Sequence, residues 1–249
     1  MQVSHSRVEC FHSCPRKFQL RYLDELKTIP DDKPDNALYL GTALHTGLEI
    51  GVEEAIQQYY NNYPIITDEH IHEAMKLEVM IPKAKQMIPE GQHEVLINHP
   101  DFKGFIDLLV PVESNGGIDV FDIYDFKYSN NKQNYLDSDQ LHLYKYFFEK
   151  MYPLCEIRNM YFLMVPKSKC KQIKGEDLFA YRQRLLADLD TLQPELVPIY
   201  YDPDKVIRFL LQTKGLLEAE AYPMNKGFLC RYCDYNEYCL KGEDWMILD

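Results

Sequence analysis

The sequence predicts an α/β fold, a mixed central sheet flanked by helices. Two observations predict it. Apolar residues recur at helical spacing through the first third of the chain, then give way to short runs rich in Val, Ile, Phe and Leu. Three such runs follow one another across turn residues, and a fourth comes only after another helical stretch. The resulting order is helices, β-β-β, α, β, helices.

Each element has its own warrant. Residues 4–23 read as helix, interrupted near Pro15, and 28–35 as a polar loop. Residues 36–62 read as one long helix with apolar positions at Leu38, Leu40, Leu44, Leu48, Ile50 and Ala55. Another helix covers 68–88, with Pro82 marking an interruption. Strands are expected at 93–98, 102–112 and 118–127, joined as a meander by His99-Pro100-Asp101 and by Glu113-Ser114-Asn115-Gly116-Gly117. Helical spacing returns at 137–151, with Asp137 or Ser138 as cap. A fourth strand covers 157–165, and amphipathic helices cover 178–192 and 204–221. No internal repeat and no clear linker is visible.

Composition narrows the class. The chain has 249 residues, 46% hydrophobic and 27% charged, which is globular. No apolar run reaches the roughly 18 to 20 residues needed to cross a bilayer. The first residues lack the apolar segment of a signal peptide, so a cytoplasmic protein is expected. The net charge is -12. Such a chain can bind nucleic acid only through a local basic face or through metal ions.

Seven cysteines, an odd number, argue against a disulfide scaffold. Three form Cys230-x2-Cys233-x5-Cys239, a spacing that suits a metal or cluster. The fourth ligand must come from elsewhere, and Cys14 is the candidate. Spacing alone does not separate zinc from iron–sulfur, and His12 or His5 could complete a zinc site. The alternative is that these cysteines pack as small hydrophobes. Cys10, Cys155 and Cys170 read as unliganded.

The strand region carries an acidic constellation. Asp107 follows Gly104-Phe105-Ile106 within an apolar strand. Asp125 and Lys127 are two apart on another strand, so they share a face while Phe126 points into the opposite layer. Two close carboxylates repel unless a cation sits between them, and oxygen ligands suit Mg²⁺ or Mn²⁺. A lysine beside such a site can orient water or steady charge on a phosphoryl oxygen. Taken alone, Asp125-x-Lys127 reads more simply as a strand-end salt bridge. Its neighbours strengthen the metal reading. His45 lies on the long N-terminal helix, and Gln140 and Tyr144 are i and i+4 on one helix face. Glu94 sits on the preceding strand, where its register could turn it away.

The ordered set Gly41-x3-His45, Gly104-x2-Asp107, Asp125-x-Lys127 and Gln140-x3-Tyr144 resembles the PD-(D/E)xK nuclease superfamily in its RecB-like branch. Adding Cys14, Cys230, Cys233 and Cys239 makes it similar to the iron–sulfur members, the CRISPR-associated adaptation exonucleases and the AddB nuclease domain. The opening Phe11-x2-Cys14-Pro15-Arg16-Lys17-Phe18 matches that family's N-terminal segment. Ile106 stands where the superfamily's usual proline would precede Asp107.

The resemblance implies a restriction-endonuclease-like fold and a single nuclease domain over 1–249. Within it, 1–35 and 222–249 would form a cluster-bound clasp, 36–92 a helical insertion, 93–175 the nuclease core and 176–221 a helical part. His45, Asp107, Asp125 and the Phe126 carbonyl would hold Mg²⁺ or Mn²⁺. Lys127 would position water, and Gln140 and Tyr144 would support the site. Cys14, Cys230, Cys233 and Cys239 would hold a 4Fe–4S cluster. The implied activity is exonucleolytic hydrolysis of single-stranded DNA ends, in recombination, phage DNA processing or CRISPR adaptation. A helicase, recombinase or CRISPR integrase would be the partner. The alternative is a catalytically silent DNA-binding or partner-dependent module of the same fold. Arg16, Lys17, Arg21 and Tyr144 are expected DNA contacts, with Lys167, Lys169, Lys171 and Lys174 as a second basic stretch.

Overall fold

The computed structural model describes residues 3–28 and 32–241. Two compact units account for them. The first comprises Met1–Asp31, Asn98–Gly104 and Asp202–Asp249, and the second Asp32–Ile97 and Phe105–Tyr201.

The second unit is built on a five-stranded sheet in the order β1 (Gln92–His99), β2 (Phe102–Asn115), β3 (Ile118–Tyr128), β4 (Cys155–Val165) and β5 (Glu195–Ile199). The ends of β1 and β2 at 98–104 belong to the first unit. β2 pairs antiparallel with β3, β3 parallel with β4, and β4 antiparallel with β5. The expected mixed sheet is therefore present. β5 was not expected from the sequence. It is short and contains Pro198, which an edge strand tolerates because one side of its backbone needs no partner.

Period-two alternation sorts β3 into two faces. Tyr124, Phe126 and Tyr128 join Leu108, Val110, Leu163 and Val165 in one apolar core. That core is closed by α3 (Ala37–Glu49), α4 (Val52–Tyr60), α5 (Asp68–Lys85) and α8 (Leu178–Thr191). Burying one side chain of this size contributes roughly 1.5–3 kcal/mol. α7 (Gln140–Met151) packs on β4, with Phe148 6.0 Å ring to ring from Phe121.

Three boundaries differ from expectation. The helix expected over 36–62 breaks at Gly51. The Thr46 carbonyl accepts from both Ile50 and Gly51 N–H, closing α3 before α4 begins. α5 runs through Pro82 to Lys85, because a proline this near the C-terminal end disturbs only the final turns. The helix expected from 137 is preceded by a separate turn, α6 (Lys132–Leu136), and starts at Gln140, whose N–H donates to Ser138 Oγ. α3 meets α5 at Gly47, against Ile81. A Cβ there would lie 2.4 Å from Ile81 Cδ1, so only glycine lets these helices meet.

The first unit ties the two ends of the chain together. α1 (His5–Ser13) and α2 (Pro15–Phe18) lead into a π-helical turn, Gln19–Leu23. The break near Pro15 is as expected. The later segments are α9 (Pro203–Leu217), a 3₁₀ turn at Phe228–Tyr232 and α10 (Asn236–Lys241). Arg16 N–H donates to Pro223 O, the Asn225 amide to Ser13 O, and the Tyr235 hydroxyl to Leu26 O. Phe18 is fully buried and stacks on Tyr222 at 6.1 Å.

Candidate metal centre

The ladder between β2 and β3 begins at the pair Leu108↔Tyr124. One residue further on, Asp107 and Asp125 turn to the face opposite that pair. Phe126 N–H donates to Asp107 Oδ2 at 2.6 Å, so a carboxylate takes this amide where a strand carbonyl otherwise would. α3 brings His45 to the same place. Its Nε2 lies 3.6 Å from Asp107 Oδ2 and 3.3 Å from the Phe126 carbonyl, while Nδ1 lies 3.5 Å from Glu94 Oε1. His45, Glu94 and Asp107 each offer a ligand atom, all within 4.8 Å of one another.

Glu94 reaches this position from a strained backbone. Its φ of 52° is in the left-handed region, which a glutamate within a strand rarely occupies. Such strain persists where the surroundings enforce it, and it collects at functional sites. Strand alternation alone cannot foresee this orientation, which is why the register left Glu94 undecided.

Asp125 is 1% exposed, and neither of its carboxylate oxygens has a hydrogen-bond partner among the described residues. Lys127 Nζ lies 2.5 Å from Oδ2, an ion-pair contact without hydrogen-bond alignment. The ammonium donates instead to Gln140 Oε1 at 3.1 Å, and Gln140 Nε2 donates to the Tyr144 hydroxyl at 2.8 Å. Tyr135 and Phe162 flank Lys127, their ring centroids 5.5 and 5.8 Å from Nζ. These two aromatics were not foreseen. Tyr135 comes from α6, which the sequence reading did not separate.

The electrostatics are those of an under-compensated acidic pocket. Burial pushes the Asp107 carboxyl up, and the nearby Asp125 charge adds to it, reaching about 7. For His45, burial opposes protonation, but the hydrogen bond with Glu94 and the charges of Asp107 and Asp125 overcome it and raise the imidazole to about 9. The same His45 hydrogen bond lowers Glu94. Burial opposes the charged form of Lys127, yet Asp125 and Asp107 lift it above the ordinary lysine value. Burial also raises Tyr144 strongly, so it stays a neutral phenol.

The donor set fits a hard divalent cation: two buried carboxylates, a third carboxylate, an imidazole and a backbone carbonyl. Asp125 strengthens the fit: Lys127 pairs with its Oδ2, while Oδ1 is buried with no hydrogen-bond partner among the described residues and is left for a second cation.

The structure places His45, Asp107, Asp125, Phe126, Lys127, Gln140 and Tyr144 around one spot, and turns Glu94, whose register the sequence left open, toward His45. One expectation is corrected. Tyr144 is only 6% exposed, and its hydroxyl accepts from Gln140. Packed on the underside of α7, it supports the site through Gln140 and has no open ring face for DNA.

The cysteines are arranged differently. Cys14 separates α1 from α2, Cys230 lies in the 3₁₀ turn, Cys233 follows it and Cys239 is on α10. All belong to the first unit. Among the described residues their sulfurs form no group of three within 4.8 Å, the span of the acidic set. A single tetrahedral zinc ion, with bonds of about 2.3 Å to sulfur, requires thiolates that close. Burial raises the Cys239 thiol first, and Cys233, Cys14 and Cys230 add to that rise while Arg16 opposes it. Of the expected DNA contacts, Arg16 donates to Gln19 Oε1 at 2.8 Å, and Arg21 lies over Tyr22. Lys167 stands 5.0 Å over the Tyr128 ring.

The family model of the PD-(D/E)XK nuclease superfamily matches residues 2–240. A solved structure from Eubacterium rectale, described as a candidate exonuclease, is 12% identical. The match covers 93% of this chain and 87% of that one, with a TM-score of 0.53, and at this identity it speaks for the fold. No curated protein matches the sequence.

Proposed function

The chain belongs to the PD-(D/E)XK nuclease superfamily, and within it we propose a metal-dependent exonuclease of the RecB-like branch that hydrolyses phosphodiester bonds at single-stranded DNA ends. The observation that carries this reading is the convergence of His45, Glu94 and Asp107 beside a buried Asp125 that lacks a hydrogen bond. Mg²⁺ or Mn²⁺, when bound there, supplies Lewis acidity for a phosphoryl oxygen and for water. His45, Asp107, Asp125 and the Phe126 carbonyl would hold it, with Glu94 on the far side of the imidazole.

This chain's own groups supply the rest. Lys127, fixed by Gln140 and by the aromatic pair Tyr135 and Phe162, holds an ammonium proton at the water that attacks phosphorus. As the bond to the leaving oxygen breaks, the same ammonium steadies the charge building on the phosphoryl oxygens. Tyr144 keeps Gln140 in the rotamer that receives Lys127.

Cys14, Cys230, Cys233 and Cys239 we assign to a 4Fe–4S cluster that joins the chain ends, on the strength of their spacing and order along the chain. The biological setting would be recombination, phage DNA processing or CRISPR adaptation, with a helicase, recombinase or integrase as partner. The catalytically silent alternative is disfavoured because every ligand position of the site is filled.

The test is cleavage of end-labelled single-stranded DNA by anaerobically purified protein with Mn²⁺, with Mg²⁺ and with EDTA, beside Lys127→Ala. The expected result is a metal-dependent ladder that the variant lacks. Brown, folded protein that cuts with neither metal would overturn the enzyme reading.

A further inference from the structure

β2 carries Asp107, and two residues before it an aromatic ring faces solvent. Ile106 and Leu108, on one face of the strand, are fully buried, whereas Phe105 is 44% exposed. Residues two apart on a strand share a face, so Phe105 and Asp107 point to the same side of the sheet. The rise of the strand sets these two side chains about 7 Å apart. The backbone at Phe105 is tied to the acidic centre as well. The Tyr144 hydroxyl, which supports Gln140 and through it Lys127, is also hydrogen-bonded to the Phe105 backbone. Among the described residues the Phe105 ring meets no other aromatic ring and no cation. A single exposed phenylalanine is ordinary on a protein surface. This one is informative by its position, an apolar surface beside the carboxylates on their own strand face. The carboxylates, the imidazole and the ammonium can hold a metal and a phosphate, but none of them offers a surface to a base.

We propose that Phe105 is a base-stacking platform for the nucleotide next to the scissile phosphate. With that phosphate at the acidic centre, a ring one strand step away lies within reach of the adjoining base. A base inside a duplex is stacked and paired and shows only its edges, whereas a base in a single strand has a face to give. The platform therefore favours single-stranded ends. It carries no sequence preference, because every base has a π-face. The proposal rests on the nuclease reading and names the contact that selects its substrate.

The test is fluorescence anisotropy with the full chain carrying Lys127→Ala, in Mg²⁺, so that the strand is bound and not cut. Two labelled probes of equal length are compared, an oligothymidylate and the same backbone without bases. This parent protein should prefer the thymidylate. Adding Phe105→Ala should weaken thymidylate binding at least about fivefold and leave binding of the abasic strand as it was. Phe105→Trp should keep the preference and Phe105→Leu should lose it, which separates a stacking ring from an apolar filler. The side chain is exposed, so the variants should fold, and the Leu and Trp pair reads the same contrast if Phe105→Ala does not. A parent that binds both probes equally would overturn the platform, as would Phe105→Ala or Phe105→Leu binding thymidylate as tightly as the parent. Equal losses on both probes would also overturn it, since the ring would then act through the fold and not on a base. A thymidylate preference that depends on Phe105, in a protein whose wild type never cuts, would sink the nuclease reading and leave the platform standing.

Discussion

The fold treats the candidate acidic centre and the cysteine segment in opposite ways. His45, Asp107 and Asp125 sit on α3, β2 and β3, long elements locked by the apolar core on Phe126, Tyr124 and Leu108. The scaffold therefore bears the cost of burying these groups side by side before any ion arrives, and the raised pKa of Asp107 records burial first and the neighbouring Asp125 charge second. Cys230 sits on a five-residue 3₁₀ turn, Cys233 just after it and Cys239 on a six-residue helix. There the order comes from backbone hydrogen bonds and local packing rather than from a sheet. The difference separates a site preorganised for chemistry from a set whose geometry its ligand would complete.

If that contrast holds, substitutions in the two regions should fail in different ways. The largest effect belongs to the acidic centre. Asp125→Ala should lower metal-dependent cleavage by at least about a hundredfold. The fold should survive in EDTA, since relief of the Asp107–Asp125 repulsion offsets part of the Lys127 ion pair that is lost. Unchanged turnover would remove Asp125 from the site. Cys233→Ala should behave in the reverse manner. Absorbance near 400 nm and thermal stability should fall together, because binding free energy and folding free energy are shared in such a segment. A colourless variant that stays equally stable and active would break the contrast.

Between these lies the scaffold itself. Gly47→Ala places a methyl group against Ile81 and should cost about 1–3 kcal/mol as α3 is forced off α5. Because α3 also carries His45, cleavage should fall more than stability alone explains. Denaturant titration beside a cleavage assay reads both. A variant with normal stability and activity would show that the helices reposition freely.

How much of this was legible follows the same division. The acidic set was readable because a strand's two-residue period fixes which side chains share a face, and Asp125 with Lys127 obeys it. Gln140 and Tyr144 were readable from helical spacing, although the depth of Tyr144 was not, since periodicity gives a face and not the layer packed against it. Glu94 was named but left undecided, because its left-handed φ breaks the alternation that sequence reasoning depends on. β5 escaped because a five-residue strand containing Pro198 reads like a loop until β4 is beside it. The split at Gly51 escaped because apolar residues continue at helical spacing on both sides of it.

The subtlest prediction concerns protons at the acidic centre. Asp107 has an ordinary value of 3.8 and rises to about 7 in the folded chain. Between those values the folded state binds the extra proton, so metal-free stability should fall as pH rises through that window. His45 rises from 6.5 to about 9, and its contribution, fully present below 6.5, should be lost as pH climbs through about 9. Both shifts weaken the metal-free protein in alkali. A divalent cation needs both groups deprotonated, so its binding expels protons and tightens as pH rises. The gap in melting temperature between Mg²⁺ and EDTA samples should therefore widen steadily from about pH 6 to about pH 9. In Asp107→Asn the remaining widening should fall in the upper part of that range, where His45 titrates. A gap that stays constant or narrows would mean that Asp107 and His45 do not share the ion, and the acidic centre would lose its claim to be preorganised.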